Sequence, residues 1–133
     1  MKFDKNNWKT IDINIDSLWI IGPRAKGGKR ENNYHGNFVP QIPDHLVRRY
    51  TEPGDIVLEP FMGSGTTLYE CESLERNYIG FDINEEIVQY VRSKMAGDSS
   101  IDYSICLGDV CDEELSTAYI SNFLKNLKKQ RVD

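Results

Sequence analysis

The sequence predicts an α/β fold, a parallel sheet covered by helices. The prediction rests on three features of the chain. Strand-like and helix-like segments alternate from Asp55 to about Lys129. A glycine-rich turn joins the first of these strands to its helix, and an acidic residue stands at the end of each of three successive strands, at Glu59, Asp82 and Asp109. Such alternation argues for parallel strands joined by helical crossovers.

The first 50 residues are the least regular. Ile11, Ile13 and Ile15 alternate with polar residues, and Leu18–Ile21 is a short apolar run, so either stretch is a candidate strand. Gly22–Arg30 (GPRAKGGKR) is a loop by its Gly and Pro. Pro43–Tyr50 reads as a short helix opened by proline, with Leu46, Val47 and Tyr50 on one face. Pro53-Gly54 then signals a turn, and Asp55–Glu59 (DIVLE) a strand that stops at Pro60.

Beyond the glycine turn Phe61–Gly65, Thr66 and Thr67 offer N-cap hydroxyls for a helix to about Glu75, with Leu68, Cys71 and Leu74 apolar. Asn77–Ile83 is the second strand. Asn84 caps the second helix, whose stripe is Ile87, Val88, Val91 and Met95 and whose stop is Gly97. Glu85 and Glu86 sit in its first turn, where the helix dipole favours them. Tyr103–Leu107 is the third strand. Asp112 to about Lys129 is the third helix, with Leu115, Tyr119, Phe123 and Leu127 at every fourth position and Lys125, Lys128 and Lys129 towards its C-terminal end.

With 133 residues the chain is the size of one domain. It is expected to divide into an N-terminal segment with the basic loop, 1–33, and a subdomain, 34–133. No apolar run is long enough to span a membrane. The start, MKFDKNNWKT, has no apolar signal core, so the expected compartment is the cytoplasm. Cys71, Cys106 and Cys111 form no C-x-x-C and have no His near them in sequence, which argues for reduced, mostly buried thiols and against a metal site. His35 and His45 read as surface or capping residues. Net charge is −5, but residues 1–50 carry nine Lys/Arg against five Asp/Glu, and residues 51–133 carry seven against sixteen. The basic excess gathers at Arg24, Lys26, Lys29 and Arg30. That loop is either a phosphate-contacting surface or a solvated loop, the second being favoured slightly.

The informative motif is the glycine turn. Glycines after a strand allow close backbone approach, and the helix behind them presents free N–H groups and a positive dipole end. No Lys follows Gly65, which excludes a P-loop. Gly63 and Gly65 fit the start of a dinucleotide fingerprint, but its third glycine position holds Leu68. Asp82 lies where an acid accepts from ribose hydroxyls. A ribose-containing ligand without a pyrophosphate is therefore expected, and S-adenosylmethionine fits.

Three segments resemble the amino-methylating DNA methyltransferases, which act on adenine N6 or cytosine N4. They are Gly54-Asp-Ile-Val-Leu-Glu-Pro-Phe-Met-Gly-Ser-Gly-Thr-Thr67, Asn77-Tyr-Ile-Gly-Phe-Asp82 and, upstream, Tyr34–Val47. The resemblance covers about residues 34–110. It implies a Rossmann-like αβα methyltransferase sandwich, here partial, and a place among restriction-modification enzymes. It implies that Glu59, Phe61, Gly63, Ser64, Gly65 and Thr66 surround the methionine part of S-adenosylmethionine. Asp82 would bind the ribose, Ile83 pack on the adenine and Asp109 approach its amino group. Phe38 and Pro40 would close the methionine side. The family commonly has Asp where Glu59 stands and often His-Pro near Phe38-Val39.

The resemblance stops short of the family's catalytic motif, a polar residue followed by Pro-Pro and an aromatic, which holds the flipped base. Prolines occur at 23, 40, 43, 53 and 60, none adjacent. By the resemblance the chain ends where a fourth strand should begin. Two readings stay open. One is the cofactor part of a DNA methyltransferase, as a fragment or one half of a split enzyme, inactive alone and completed by a second polypeptide or segment, with DNA as the substrate. The other is a stand-alone or degenerate S-adenosylmethionine-binding module. A methyltransferase for another acceptor is weaker, because no catalytic group is evident. In this fold the fourth strand pairs with the first. The free edge at Asp55–Glu59 is therefore expected to be covered by a partner chain, a self-dimer or the N-terminal strands.

Overall fold

The computed structural model describes residues 6, 10, 12–13, 16–30 and 35–127. A 3-10 turn at Gly28–Arg30 precedes α1 (Gln41–Tyr50). Then come β1 (Ile56–Glu59), α2 (Thr66–Ser73), β2 (Asn77–Asp82), α3 (Glu85–Lys94), β3 (Tyr103–Leu107) and α4 (Glu113–Asn126). The strands form one parallel sheet in the order β1-β2-β3, with Glu59 opposite Gly80 and Gly80 opposite Ile105. The predicted alternation is present as a partial Rossmann-like sandwich.

Strand periodicity sends alternate side chains to opposite faces. On one face Tyr78 and Ile105 meet Leu68, Tyr69 and Cys71 of α2 and Val88 and Val91 of α3. On the other, Ile56, Ile79, Phe81 and Cys106 meet Phe123 of α4. β2 is covered on both faces, which is why its sequence is apolar almost throughout. The α3 stripe Ile87, Val88, Val91 and Met95 is buried as expected. Asn84 caps α3 by accepting from the N–H groups of Glu86 (3.0 Å) and Ile87 (3.4 Å). Asp112 caps α4 by accepting from Leu115 N–H at 3.0 Å.

Several expectations are corrected. Leu18–Ile21 is not a strand, because no strand among the described residues lies beside it. Trp19 instead turns onto the His45 ring of α1, 5.7 Å between centroids, and donates to the Asp16 carbonyl at 2.7 Å. Leu18 and Ile20 are left exposed. Ile13 is buried without belonging to a strand, while Ile11, Ile15 and Tyr34 lie outside the described residues. α1 begins before Pro43, with Pro40 at its N-cap. Thr66 and Thr67 do not cap α2. The cap is Gly65, in a left-handed conformation, and the two hydroxyls point elsewhere. α3 ends at Lys94, ahead of Gly97. α4 stops at Asn126, with Lys128 and Lys129 outside the described residues. Of its stripe only Phe123 is buried, and Tyr119 lies edge-on to Phe81 at 5.9 Å.

Among the described residues β1 pairs only with β2. Along its other edge runs a groove of about 590 Å³, lined by Val57, Leu58 and Glu59 of β1, by Ile42, Leu46 and Tyr50 of α1, and by Phe38 and Thr67. The described residues contain no N-terminal strand on that edge. They also contain no helix long and apolar enough to cross a membrane.

Candidate cofactor site

The end of β1, the turn after it and the end of β2 are fastened into one rigid corner. Met62 N–H donates to the Phe81 carbonyl at 2.8 Å. The Asp82 carboxylate accepts from Gly63 N–H at 2.9 Å with one oxygen and from Asn84 N–H at 2.9 Å with the other. A carboxylate has about four lone-pair positions, so each Asp82 oxygen keeps one for a ligand hydroxyl. Gly108 N–H donates to the Asp82 carbonyl at 2.9 Å and brings the end of β3 alongside. There Asp109 is exposed, with one oxygen accepting from Cys111 N–H at 2.8 Å.

Gly65 turns the chain into α2 with φ at +84°, a region that L side chains rarely occupy. A Cβ there would also lie 2.9 Å from the Tyr69 ring. The turn therefore requires glycine on two independent grounds. Behind it the hydroxyls of Ser64, Thr66 and Tyr69 are buried without a hydrogen-bond partner. Buried polar atoms nearly always have partners. These three, with the free N–H groups of the first turn of α2, give the corner unused hydrogen-bonding capacity.

Glu59 sits at the base of this corner. Its carboxylate accepts from Thr67 Oγ1 at 2.6 Å and from Tyr78 Oη at 2.5 Å. Burial pushes the Glu59 carboxyl up to about 7; the two hydroxyl donors pull it down, and nearby Asp82 pushes it further up. Phe38 shares the α1–β1 groove with Glu59 and Thr67. Pro40 is buried at the α1 N-cap, where its carbonyl accepts from Asp44 N–H at 3.1 Å. Its observed hydrogen bond thus belongs to the helix. Phe61 and Ile83 are 80% and 74% exposed at the ends of β1 and β2, two apolar surfaces flanking the corner.

The basic loop is largely spent on internal contacts. Arg24 donates to the Phe38 carbonyl (2.9 Å), the Asn37 side chain (3.3 Å) and the Arg30 carbonyl (3.2 Å). Lys29 pairs with Glu72 at 2.6 Å. Arg30 grips Glu70, fully buried on α2, through two hydrogen bonds. Lys29 and Arg30 thus tie the loop to α2, and Arg24 ties it to the segment at Asn37 and Phe38. Sequence reasoning did not single out Tyr78, Thr67 as a partner of Glu59, or the Arg30–Glu70 pair. The available signals were a tyrosine two residues before a strand glycine and a glutamate inside the apolar stretch of α2. Cys71 and Cys106 are buried and Cys111 exposed. No cluster of metal-ligating side chains occurs among the described residues.

A family model for DNA methylases of the N6/N4 type matches residues 1–93. The chain belongs to this family. The chain is 37% identical over 100 residues to the type II methyltransferase M.HpaI of Haemophilus parainfluenzae, covering 68% of this chain and 32% of that one. It is 28% identical over 127 residues to the type II methyltransferase M.BamHI of Bacillus amyloliquefaciens, covering 95% of this chain and 28% of that one. A crystal structure of an M1.HpyAVI–SAM complex superposes with a TM-score of 0.47 at 34% identity, covering 53% of this chain and 35% of that one. The chain thus spans about a third of the length of these relatives.

The corner fits the family's methyl donor on its own chemistry. A carboxylate with open acceptor positions (Asp82), unpartnered hydroxyls (Ser64, Thr66), acidic groups suited to a cationic ligand and two exposed apolar surfaces converge at the C-terminal ends of the strands, where open α/β sheets bind ligands.

Proposed function

We propose that this chain is the S-adenosylmethionine-binding part of a DNA amino-methyltransferase acting on adenine N6 or cytosine N4. The observation that carries the reading is the corner at Met62–Gly65. Its backbone is locked to Asp82 while the buried hydroxyls of Ser64 and Thr66 are left without partners. In this reading Asp82 holds the ribose, Ile83 lies on the adenine and Asp109 meets the adenine amino group. Glu59, Phe61, Gly63, Ser64, Gly65 and Thr66 surround the methionine part, and Phe38 and Pro40 close its side. When bound, the cofactor supplies an electrophilic methyl group on a sulfonium. The residues of this chain hold that methyl in a fixed direction, so that an incoming amine can approach in line with the bond that breaks.

No residue of this chain is assigned to holding the target base. No two prolines are adjacent, so the Pro-Pro-aromatic element has to come from another segment or a second polypeptide. The β1 edge, which no strand among the described residues covers, and the apolar groove beside it support an additional strand docking there, from that partner or from a second copy. The missing motif also supports a second reading, a stand-alone cofactor-binding module. Ultraviolet crosslinking of methyl-tritiated S-adenosylmethionine to the chain tests the shared core of both. Label that is displaced by S-adenosylhomocysteine and not by ATP is the expected result, and no specific label counts against it. Tritium transferred to DNA by the pure chain alone would contradict the assignment of an incomplete unit.

A further inference from the structure

Glu59 and Gly80 are register partners on β1 and β2. Tyr78 lies two residues before Gly80 on the same strand, so their side positions share a face. A Cβ on Gly80 would collide with Tyr78 Oη and lie 2.6 Å from its ring. The tyrosine therefore lies flat across the bare Cα of Gly80, wholly buried, and its hydroxyl reaches Glu59 at 2.5 Å. Thr67, from the first turn of α2, closes the other side at 2.6 Å. One carboxylate is thus clamped between the sheet and the helix that starts at the glycine turn. Charge-assisted hydrogen bonds of this kind are the strong ones and fix geometry as well as ionisation.

We propose that Tyr78 is a positioning residue of the cofactor site: threaded past Gly80, its hydroxyl holds the Glu59 carboxylate in place and favours its ionised form at the base of the turn that receives the methionine end. This rests on the cofactor reading given above. The titratable groups facing Glu59 are Tyr78 and Asp82 from β2, Cys71 from α2 and, across the groove, Tyr50 from α1, beside the apolar Ile42 and Leu46. Asp82 and burial oppose ionisation; Tyr78 and Thr67 favour it. Deleting one donor tips that balance towards the protonated acid.

The test uses the full chain labelled with 13C-glutamate. The Glu59 carboxyl signal is assigned by its loss in Glu59→Gln and titrated in wild type and Tyr78→Phe. Tyr78→Phe should raise the Glu59 midpoint by roughly one pH unit, since a hydrogen bond to a charged group is of that size. Calorimetry with S-adenosylmethionine should then show affinity lowered roughly fivefold at pH 7 and nearly restored by pH 9, as follows from that midpoint change. Gly80→Ala, whose methyl displaces the hydroxyl, should raise the midpoint in the same direction. An unchanged midpoint in Tyr78→Phe, or an affinity loss of equal size at every pH, overturns the proposal. A wild type that binds no S-adenosylmethionine overturns the cofactor reading, and the carboxyl titration then still decides whether Tyr78 holds Glu59.

Discussion

Arg30 and Glu70 stand 40 residues apart in sequence and meet through two hydrogen bonds, Nε to Oε1 at 2.6 Å and a terminal guanidinium nitrogen to Oε2 at 2.9 Å, with the carboxylate fully buried. The pair fastens the Gly22–Arg30 loop to α2, the helix that begins at the glycine turn. A buried carboxylate stripped of its partner is costly, whereas a surface pair matters little. Arg30→Ala should therefore destabilise the fold by about 3 kcal/mol in urea unfolding. Lys29→Ala, which breaks the more exposed pair with Glu72, should cost under about 1 kcal/mol. Equal effects from the two substitutions would contradict the anchoring role of Arg30.

Glu59 gives the fold an unusual response to pH. Its carboxyl is held near 7 by burial, against 4.5 when exposed. Between these values the folded chain keeps a proton that the unfolded chain has released, so stability falls as pH rises from about 4.5 to about 7 and then levels. Glu59→Gln removes the titrating group. From pH 5 to pH 8 the wild type should lose about 2 kcal/mol relative to Glu59→Gln, a figure that treats the whole displacement as native-state burial. Parallel denaturation profiles for the two proteins would show that Glu59 is ionised freely in the folded state.

Two glycines with positive φ separate backbone strain from crowding. A methyl group on Gly97, at φ +117°, would meet nothing within 4 Å, whereas one on Gly65, at φ +84°, would meet Tyr69 at 2.9 Å and Val91 at 3.1 Å. Gly97→Ala should cost only the backbone term, about 1 kcal/mol. Gly65→Ala adds overpacking and should cost about 1–3 kcal/mol more. Differential scanning calorimetry of both variants reads the difference as a lower Tm for Gly65→Ala.

What was legible in the sequence was local. The cap at Asn84, the start of the last helix near Asp112, the α3 stripe and the strand ends at Glu59, Asp82 and Leu107 follow from near-neighbour chemistry, and they placed the corner that unites Gly63 with Asp82. What stayed hidden depends on contacts distant in sequence. Thr66 and Thr67 carry good cap chemistry, but Gly65 takes that position and Thr67 is drawn to Glu59. Leu18–Ile21 has strand composition, yet no strand among the described residues neighbours it, and Trp19 packs against His45 of α1. The grip of Tyr78 on Glu59 needed the register of β1 on β2, which composition and periodicity do not contain.

In the proposed cofactor site Asp82 is the central residue, since it locks the glycine turn and each of its oxygens keeps an acceptor position that the proposal gives to a ribose. Titration calorimetry of the chain with S-adenosylmethionine, wild type beside Asp82→Ala, tests this most directly. Saturable binding of one ligand per chain, weakened at least roughly tenfold by the substitution, is the predicted result, the size expected for losing hydrogen bonds to a charged group. No heat from the wild type at millimolar ligand, or equal affinity in the two proteins, would contradict it.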